Sequence, residues 1–422
     1  MAEQDDVGRG EGAETDLTLD SFEPWNDQPE GTGSVEGARD GSALDIPLHA
    51  RSLRQLSRTE RTRFQTALAL LASGGDLRAL MRDAGFPLAG LGVYEALLTR
   101  TWAVRFQGNG EMIRLARAAL EVAKRLDPEV HGAKRVADLQ ARAWGELGNA
   151  YRASADRLRS ADRAFGQAFA FFKQGTGDPY LHARLLELEA SLYGTWRRFE
   201  GVESRLDLVF KAYQEMGETH QAGRTLIIRA LYTFYHCRPE EALDLNRQGI
   251  ELIDRHRDPA LFLMAMHNEL LFLVDLERHD EAKRRLFESR QHVIYQDRVN
   301  SLRFRWIEGR IEYGLGNLLS AEIAFAEVKE GFDQAGLPFA RALARLELAM
   351  VLLSRDRFDE SEREVVAAGE IFAAVEIYRE FTGSVVILEE LFRRRMVTPD
   401  MIERTVAGIR RKELQIGPRH FR

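Results

Sequence analysis

Apolar residues recur at helical spacing along most of the chain, and the clearest example lies between residues 144 and 168. One helix face is formed by four residues spaced three, one and three apart: Trp144, Leu147, Gly148 and Tyr151. After a polar turn, a second face is formed by Ala161, Phe165 and Ala168. Because Gly148 has no side chain, we expect the second helix to pack closely against the first there.

A small residue follows the turn at regular intervals through the chain. These residues are Ala161, Val202, Ala242, Ala282, Ala321 and Ser361. Successive gaps of 41, 40, 40, 39 and 40 residues keep a period near 40 five times. Pro179, Pro259 and Pro338 are predicted to begin helices, since proline is favoured in a first helical turn. The pattern predicts stacked helix pairs from about residue 138 to residue 375.

The Leu147-Gly148-x-x-Tyr151 motif and the small residues after the turns resemble the tetratricopeptide repeat, a helix–turn–helix unit of about 34 residues. The longer unit here is similar to the arrays of bacterial regulatory proteins of this type. The resemblance implies an all-α fold, a right-handed α-α superhelix or TPR-like solenoid, and the composition of the first residues adds a disordered N-terminal arm. It also implies that the first helix of each pair lines a concave groove.

Pattern and composition divide the chain into four predicted parts. They are a disordered acidic arm (1–45), a helical N-terminal cap region with a degenerate first repeat (46–128), the array of helix pairs (129–375), and C-terminal capping helices with a basic tail (376–422). Ser57 or Thr59 is a candidate cap for an early helix, and Asp127-Pro128 is predicted to open the long helix containing Trp144.

The region from Leu77 to Trp102 faintly resembles a DNA-binding helix-turn-helix. Its second helix would begin with residues 88–94, which are apolar and lack the polar side chains that read base edges. We therefore interpret the region as a cap of the array, and we do not expect nucleic acid as a partner.

Charge is distributed unevenly along the chain. The net charge is −7, but the first 50 residues hold 13 acidic residues against Arg9 and Arg39, while the remainder carries a net +4. The single cysteine, the acidic start and the lack of a long apolar run predict a cytoplasmic protein with no membrane-spanning segment.

No motif for phosphate, metal or nucleophilic chemistry is present, so we expect no enzyme activity, cofactor or metal. His236 and Cys237 are adjacent, and adjacent helical side chains point about 100° apart, which does not suit a catalytic pair. His267, His279 and His292 have no spacing that would make them converge on zinc.

One register position repeats as a row along the predicted groove. Stepping by one repeat from Arg142 gives Arg184, Arg224, Met264, Arg303 and Leu343. The predicted partner-binding residues are Arg142, Asn149, Arg184, Arg224, Asn268, Arg303 and Arg310. Arginine pairs well with carboxylates, so an acidic or C-terminal peptide is the hypothesised ligand. The alternative is that these arginines only keep the array soluble.

These features favour a non-catalytic protein–protein interaction module, a scaffold or regulatory adaptor, that binds a peptide or protein partner. The alternative is a ligand- or partner-sensing component of a bacterial transcriptional regulator. Phe22 and Trp25 lie among acidic residues and form a predicted docking segment. We hypothesise that Asp16–Glu30 folds back into the groove and competes with an acidic partner; the alternative is an arm that only aids solubility. The oligomeric state is left open.

Overall fold

The computed structural model describes residues 47–73, 90–104, 109–153, 157–196, 198–293, 298–374 and 379–413. Every regular element in these ranges is a helix. The predicted acidic arm with Phe22 and Trp25, the predicted short helix near Leu77 and the end of the basic tail lie outside the described residues.

The described helices are named here in chain order. They are α1 (Pro47–Arg54), α2 (Arg58–Ala72), α3 (Leu91–Ala103), α4 (Asn109–Arg125), α5 (Pro128–His131), α6 (Ala133–Ala153), α7 (Leu158–Phe172), α8 (Pro179–Thr195), α9 (Phe199–Glu215), α10 (Thr219–Tyr235), α11 (Pro239–Leu252), α12 (Pro259–Asp275), α13 (His279–Val293), α14 (Arg298–Gly314), α15 (Leu318–Gln334), α16 (Pro338–Ser354), α17 (Phe358–Ala374), α18 (Arg379–Arg393) and α19 (Pro399–Glu413).

From α6 to α17 the helices form six antiparallel pairs, and each pair packs against the next. The small residue predicted after each turn is the fourth residue of the second helix in its pair, and all six are fully buried. The repeat of about 40 residues is therefore confirmed. In the described C-terminal part, α18 packs on α17 and α19 packs on α16, so the last pair is covered.

Helix starts follow the predicted prolines. Pro179, Pro259 and Pro338 are the first residues of α8, α12 and α16. The prediction for Asp127-Pro128 was wrong: Asp127 caps the single turn of α5, and the long helix α6 begins only at Ala133. Gly132 ends α5 with a φ of 83°, a left-handed conformation that glycine adopts without strain and that breaks the helix before α6.

The core lies between the two helix layers as a series of hydrophobic clusters along the array. Large buried aromatic residues, among them Phe165, Phe325 and Phe372, fill it beside the small residues of the neighbouring helices. None of the described helices is both long and apolar enough to cross a membrane.

Close packing of α6 on α7 depends on Gly148. A Cβ at this position would lie 3.0–3.2 Å from ring carbons of Phe165, which is tighter than an ordinary contact. We expect Gly148→Leu to lower the free energy of unfolding by about 1–3 kcal/mol, because the ring would have to move. Chemical denaturation measures this. Gly166→Leu is the control, since a Cβ at Gly166 on α7 meets no atom within 4 Å; equal losses in both variants would contradict the packing.

Candidate partner-binding groove

The first helices of the pairs, α6, α8, α10, α12, α14 and α16, form one layer of the structure. In a TPR-like solenoid this layer lines the concave face, and its repeated register position gives one side chain per helix. We call this set the inner row: Arg142, Arg184, Arg224, Met264, Arg303 and Leu343. Residues four positions later, one helical turn on, lie beside it on the same face.

Ion pairs join the inner row from one helix to the next. Arg184 is buried, and its Nε and Nη2 atoms donate to the two carboxylate oxygens of Glu146 on α6 at 3.0 and 3.3 Å. Glu187 lies 3.6 Å from Arg184 and 3.9 Å from Arg224 on α10. Carboxylates and guanidiniums therefore alternate across α6, α8 and α10, and the row arginines here are neutralised within the chain.

Arg142 is paired across a longer distance in the sequence. It is buried, and its Nη1 atom donates to Oε1 of buried Glu95 on α3 at 2.8 Å. Burial alone would raise the pKa of the Glu95 carboxyl, but Arg142, together with His49 and Ser52, outweighs it and holds that pKa at about 2. Glu95 is therefore ionised at neutral pH, and the pair is a buried salt bridge.

The helix α1 covers Arg142 on the groove side. His49 Nδ1 lies 2.7 Å from Arg142 Nη2, and Ser52 Oγ donates to Glu95 Oε1 at 2.6 Å. Nearer the rim, Arg51 pairs with Asp178 at 3.0 Å, where Asp178 also caps α8. A segment from before the array thus occupies this end of the groove.

The alternation of charges changes at α12. Asn268 is four residues after Met264, as Glu146 is four residues after Arg142. An amide therefore stands on α12 where α6 presents a carboxylate to the arginine of the next helix. Asn268 is 1% exposed, and its Nδ2 atom has no hydrogen-bond partner. A buried amide without a partner is costly, so this donor marks a place where a ligand acceptor would be stabilised.

Two arginines lie close to His267, the residue before Asn268. His267 is largely buried and packs edge-to-face on Phe304 at 5.6 Å. Burial, with the charges of Arg303 and Arg310, lowers the pKa of His267 to about 3. Arg310 lies 3.6 Å from Glu347 of α16, which also accepts a hydrogen bond from the Trp306 indole. We call His267, Asn268, Arg303 and Arg310 the central subsite.

The lowered pKa of His267 predicts a pH effect on stability. The unfolded chain protonates this ring near pH 6.5, whereas the folded chain does so only near pH 3, so stability falls as the pH drops from 6.5 towards 3. Between pH 7 and pH 5 we expect wild type to lose about 1–2 kcal/mol more than His267→Gln in denaturant titrations. His256→Gln, at an exposed histidine, is the control; parallel pH profiles for wild type and both variants would contradict the burial of His267.

All seven predicted groove residues lie on first helices of pairs, as the sequence predicted. They differ in the side chains that surround them. Arg142 and Arg184 lie in internal ion pairs, and Asn149 accepts a hydrogen bond from Arg152 at 3.1 Å. The carboxylates of the row were missed. They are Glu95, Glu146, Glu187 and Glu347. Glu146 and Glu347 could have been found, since each is four residues after an inner-row position.

Other candidate chemistry is dispersed. Cys237 is exposed in the turn between α10 and α11, and His236 faces Glu203 at 3.3 Å. Across the ranges that the structure describes, no three histidine, cysteine, aspartate or glutamate side chains are grouped to hold a metal ion.

The paired helices, their stacking and the inner layer define a TPR-like α-solenoid. Solved structures show the same fold at low sequence identity. The apo form of RapI is 13% identical with a TM-score of 0.57, over 88% of this chain and 99% of that chain. A Rap protein in complex with competence and sporulation factor is 9% identical with a TM-score of 0.51, over 76% of this chain and 98% of that chain.

Aspartyl phosphate phosphatase F from Bacillus subtilis is 14% identical with a TM-score of 0.46, over 90% of this chain and 96% of that chain, a likeness too weak to support an inference. No protein-family model matches the sequence. No curated protein sequence matches it either.

Proposed function

We propose that this chain is a non-catalytic interaction module, a scaffold or regulatory adaptor, that holds a peptide or protein partner in its concave groove. The observation that carries the proposal is the buried Asn268 amide of the central subsite, which lacks a partner and follows His267, a residue close to two arginines. An extended peptide offers backbone carbonyls to such an amide and carboxylates to guanidiniums, which bind them in a bidentate manner.

The fold supports this proposal, because a solenoid of this type holds competence and sporulation factor in a solved Rap complex. The chemistry of the subsite is suited to binding rather than to reaction. Its asparagine amide and two guanidinium groups offer hydrogen-bond donors and positive charge. The preferred ligand is an acidic peptide or a peptide C-terminus.

The proposal is tested with full-length chain and a phage-displayed library of random peptides of about twelve residues. Selected peptides should be acidic or require their terminal carboxylate, and their affinity should fall at least about tenfold in Arg303→Glu and severalfold in Asn268→Leu. Arg284→Glu makes the same charge change at an exposed arginine of the outer helix α13 and should bind as wild type. Fluorescence anisotropy measures the affinities, and thermal melting checks the folding of each variant.

Peptides that bind all three variants as they bind wild type would overturn the placement of the site. If no peptide is selected, and the chain instead binds a random DNA duplex with a steep salt dependence, the transcriptional-regulator alternative would replace this proposal.

A further inference from the structure

The N-terminal arm joins the folded part of the chain inside the groove. Leu48 and His49, at the start of α1, line a small cavity together with Glu146 and Arg184 of the first-helix layer. The other end of α1 lies near Leu91. The chain preceding α1 therefore begins beside the inner row and not at the outer surface of the solenoid.

The inner row leads from this entry point to the central subsite. Arg184 lies on α8, whereas Asn268 and Arg303 lie two and three first helices further along, on α12 and α14. At roughly 10 Å between packed helices, the separation is about 20–30 Å. A flexible chain of about 25 residues has an average span of about 25–30 Å, so the middle of the arm is long enough to reach the subsite.

Charge favours the same contact. Residues 1–46 hold 13 acidic residues and two arginines, and they lie outside the described residues. The central subsite contains Arg303, Arg310 and the unpartnered Asn268 amide, and Asn268 stands four residues after its inner-row position, where α6 has Glu146. Acidic side chains and backbone carbonyls near Phe22 would supply an acceptor for the Asn268 amide and negative charge that complements the two arginines.

We propose that Asp16–Glu30 of the chain's own arm occupies the central subsite and competes with the external peptide. This inference rests on the proposed function, because it names an internal occupant for the same site. Tethering gives the arm an effective concentration on the order of millimolar. A segment with an intrinsic Kd near 0.1 mM would then fill most sites and weaken an external ligand by about tenfold.

Photo-crosslinking in the full chain tests the contact directly. With p-benzoyl-phenylalanine in place of Phe22, irradiation at about 0.05 M salt should link the arm to α12 or α14, and Arg303→Glu should abolish the link. The same probe in place of Val7 is the control and should give no link there. Mixing 15N-labelled and unlabelled chains before irradiation should give products of a single isotope type, as an intramolecular contact requires.

A competition measurement complements the cross-link. A fluorescent synthetic peptide of residues 16–30 should bind about tenfold more tightly to the full-length Asp16→Lys/Asp20→Lys/Glu23→Lys variant than to wild type. The Glu3→Lys/Asp5→Lys/Asp6→Lys variant makes an equal charge change outside the segment and should behave as wild type.

Two cross-linking results would overturn the inference on placement: links confined to the arm, or equal links from both probe positions. Products of mixed isotope would overturn it as well, and so would an unchanged peptide affinity in the Asp16→Lys/Asp20→Lys/Glu23→Lys variant. The proposed function would still hold if the affinity of library peptides depended on Arg303 and Asn268. It would be contradicted, independently of the arm, if the affinity of those peptides did not depend on the central subsite.

Discussion

Ala242→Glu is expected to lower the free energy of unfolding by about 3–5 kcal/mol and to be among the most damaging single changes in the chain. Ala242 has no exposed surface and lies in a core with Leu226, Leu270 and Phe272. A glutamate there would either bury a carboxylate without a partner or force α11 away from its neighbours. Ala282→Glu, one repeat later and also fully buried, should cost a similar amount.

Thermal and urea denaturation measure this effect. Gln248→Glu is the matched control, because it adds the same carboxylate to an exposed position of α11 and should change stability by less than about 1 kcal/mol. If both buried variants melted within a degree or two of wild type, the repeat register of about 40 residues would not describe the packing in solution.

The fold could be predicted from the sequence because its information is local and repeated. Each pair places one small residue at the fourth position of its second helix, and crowding between the layers leaves no room for a larger side chain there. The prolines that begin α8, α12 and α16 mark the starts of these helices, because the fixed backbone geometry of proline suits a first helical turn. The small residue and the proline each act within one repeat, so neither depends on a contact between distant parts of the chain.

The surroundings of the groove residues could not be predicted in the same way. Register places Arg142 on the concave face, but its carboxylate partner Glu95 is 47 residues away and His49 is 93 residues away. Nothing in the periodicity indicates that α1 lies against Arg142. The face of a helix follows from its period, whereas the partner of a long side chain follows from how distant segments meet.

The structure also separates arginines that looked equivalent in the sequence. Arg184 is satisfied by Glu146, but the residue at the corresponding position before Arg303 is Asn268. At this position α6 has a carboxylate that pairs with Arg184, whereas α12 has an amide whose Nδ2 atom has no hydrogen-bond partner. Comparing each inner-row position with the residue four places later would have drawn attention to α12.

The second large effect is expected at the buried pair of Glu95 and Arg142. Glu95→Leu should lower the free energy of unfolding by about 3–5 kcal/mol, because it leaves the Arg142 guanidinium buried without its carboxylate. The contacts of α1 depend on the same carboxylate, since Ser52 donates to Glu95. Proteolysis near residue 54 should therefore become faster in this variant, in addition to the loss measured by denaturation.

A double variant and a pH titration separate the charge effect from packing. Glu95→Leu/Arg142→Leu should recover much of the loss, since apolar side chains can replace a buried ion pair at little cost. The folded-state pKa of Glu95 is about 2 against an ordinary 4.5, so the pair's contribution is present above pH 4.5 and is lost as the pH falls towards 2. The free energy of unfolding of wild type should therefore fall over this pH range. In both Glu95 variants the part of this fall that comes from protonation of Glu95 should be missing. A double variant no more stable than Glu95→Leu, with the same pH profile as wild type, would show that the pair is not buried in solution.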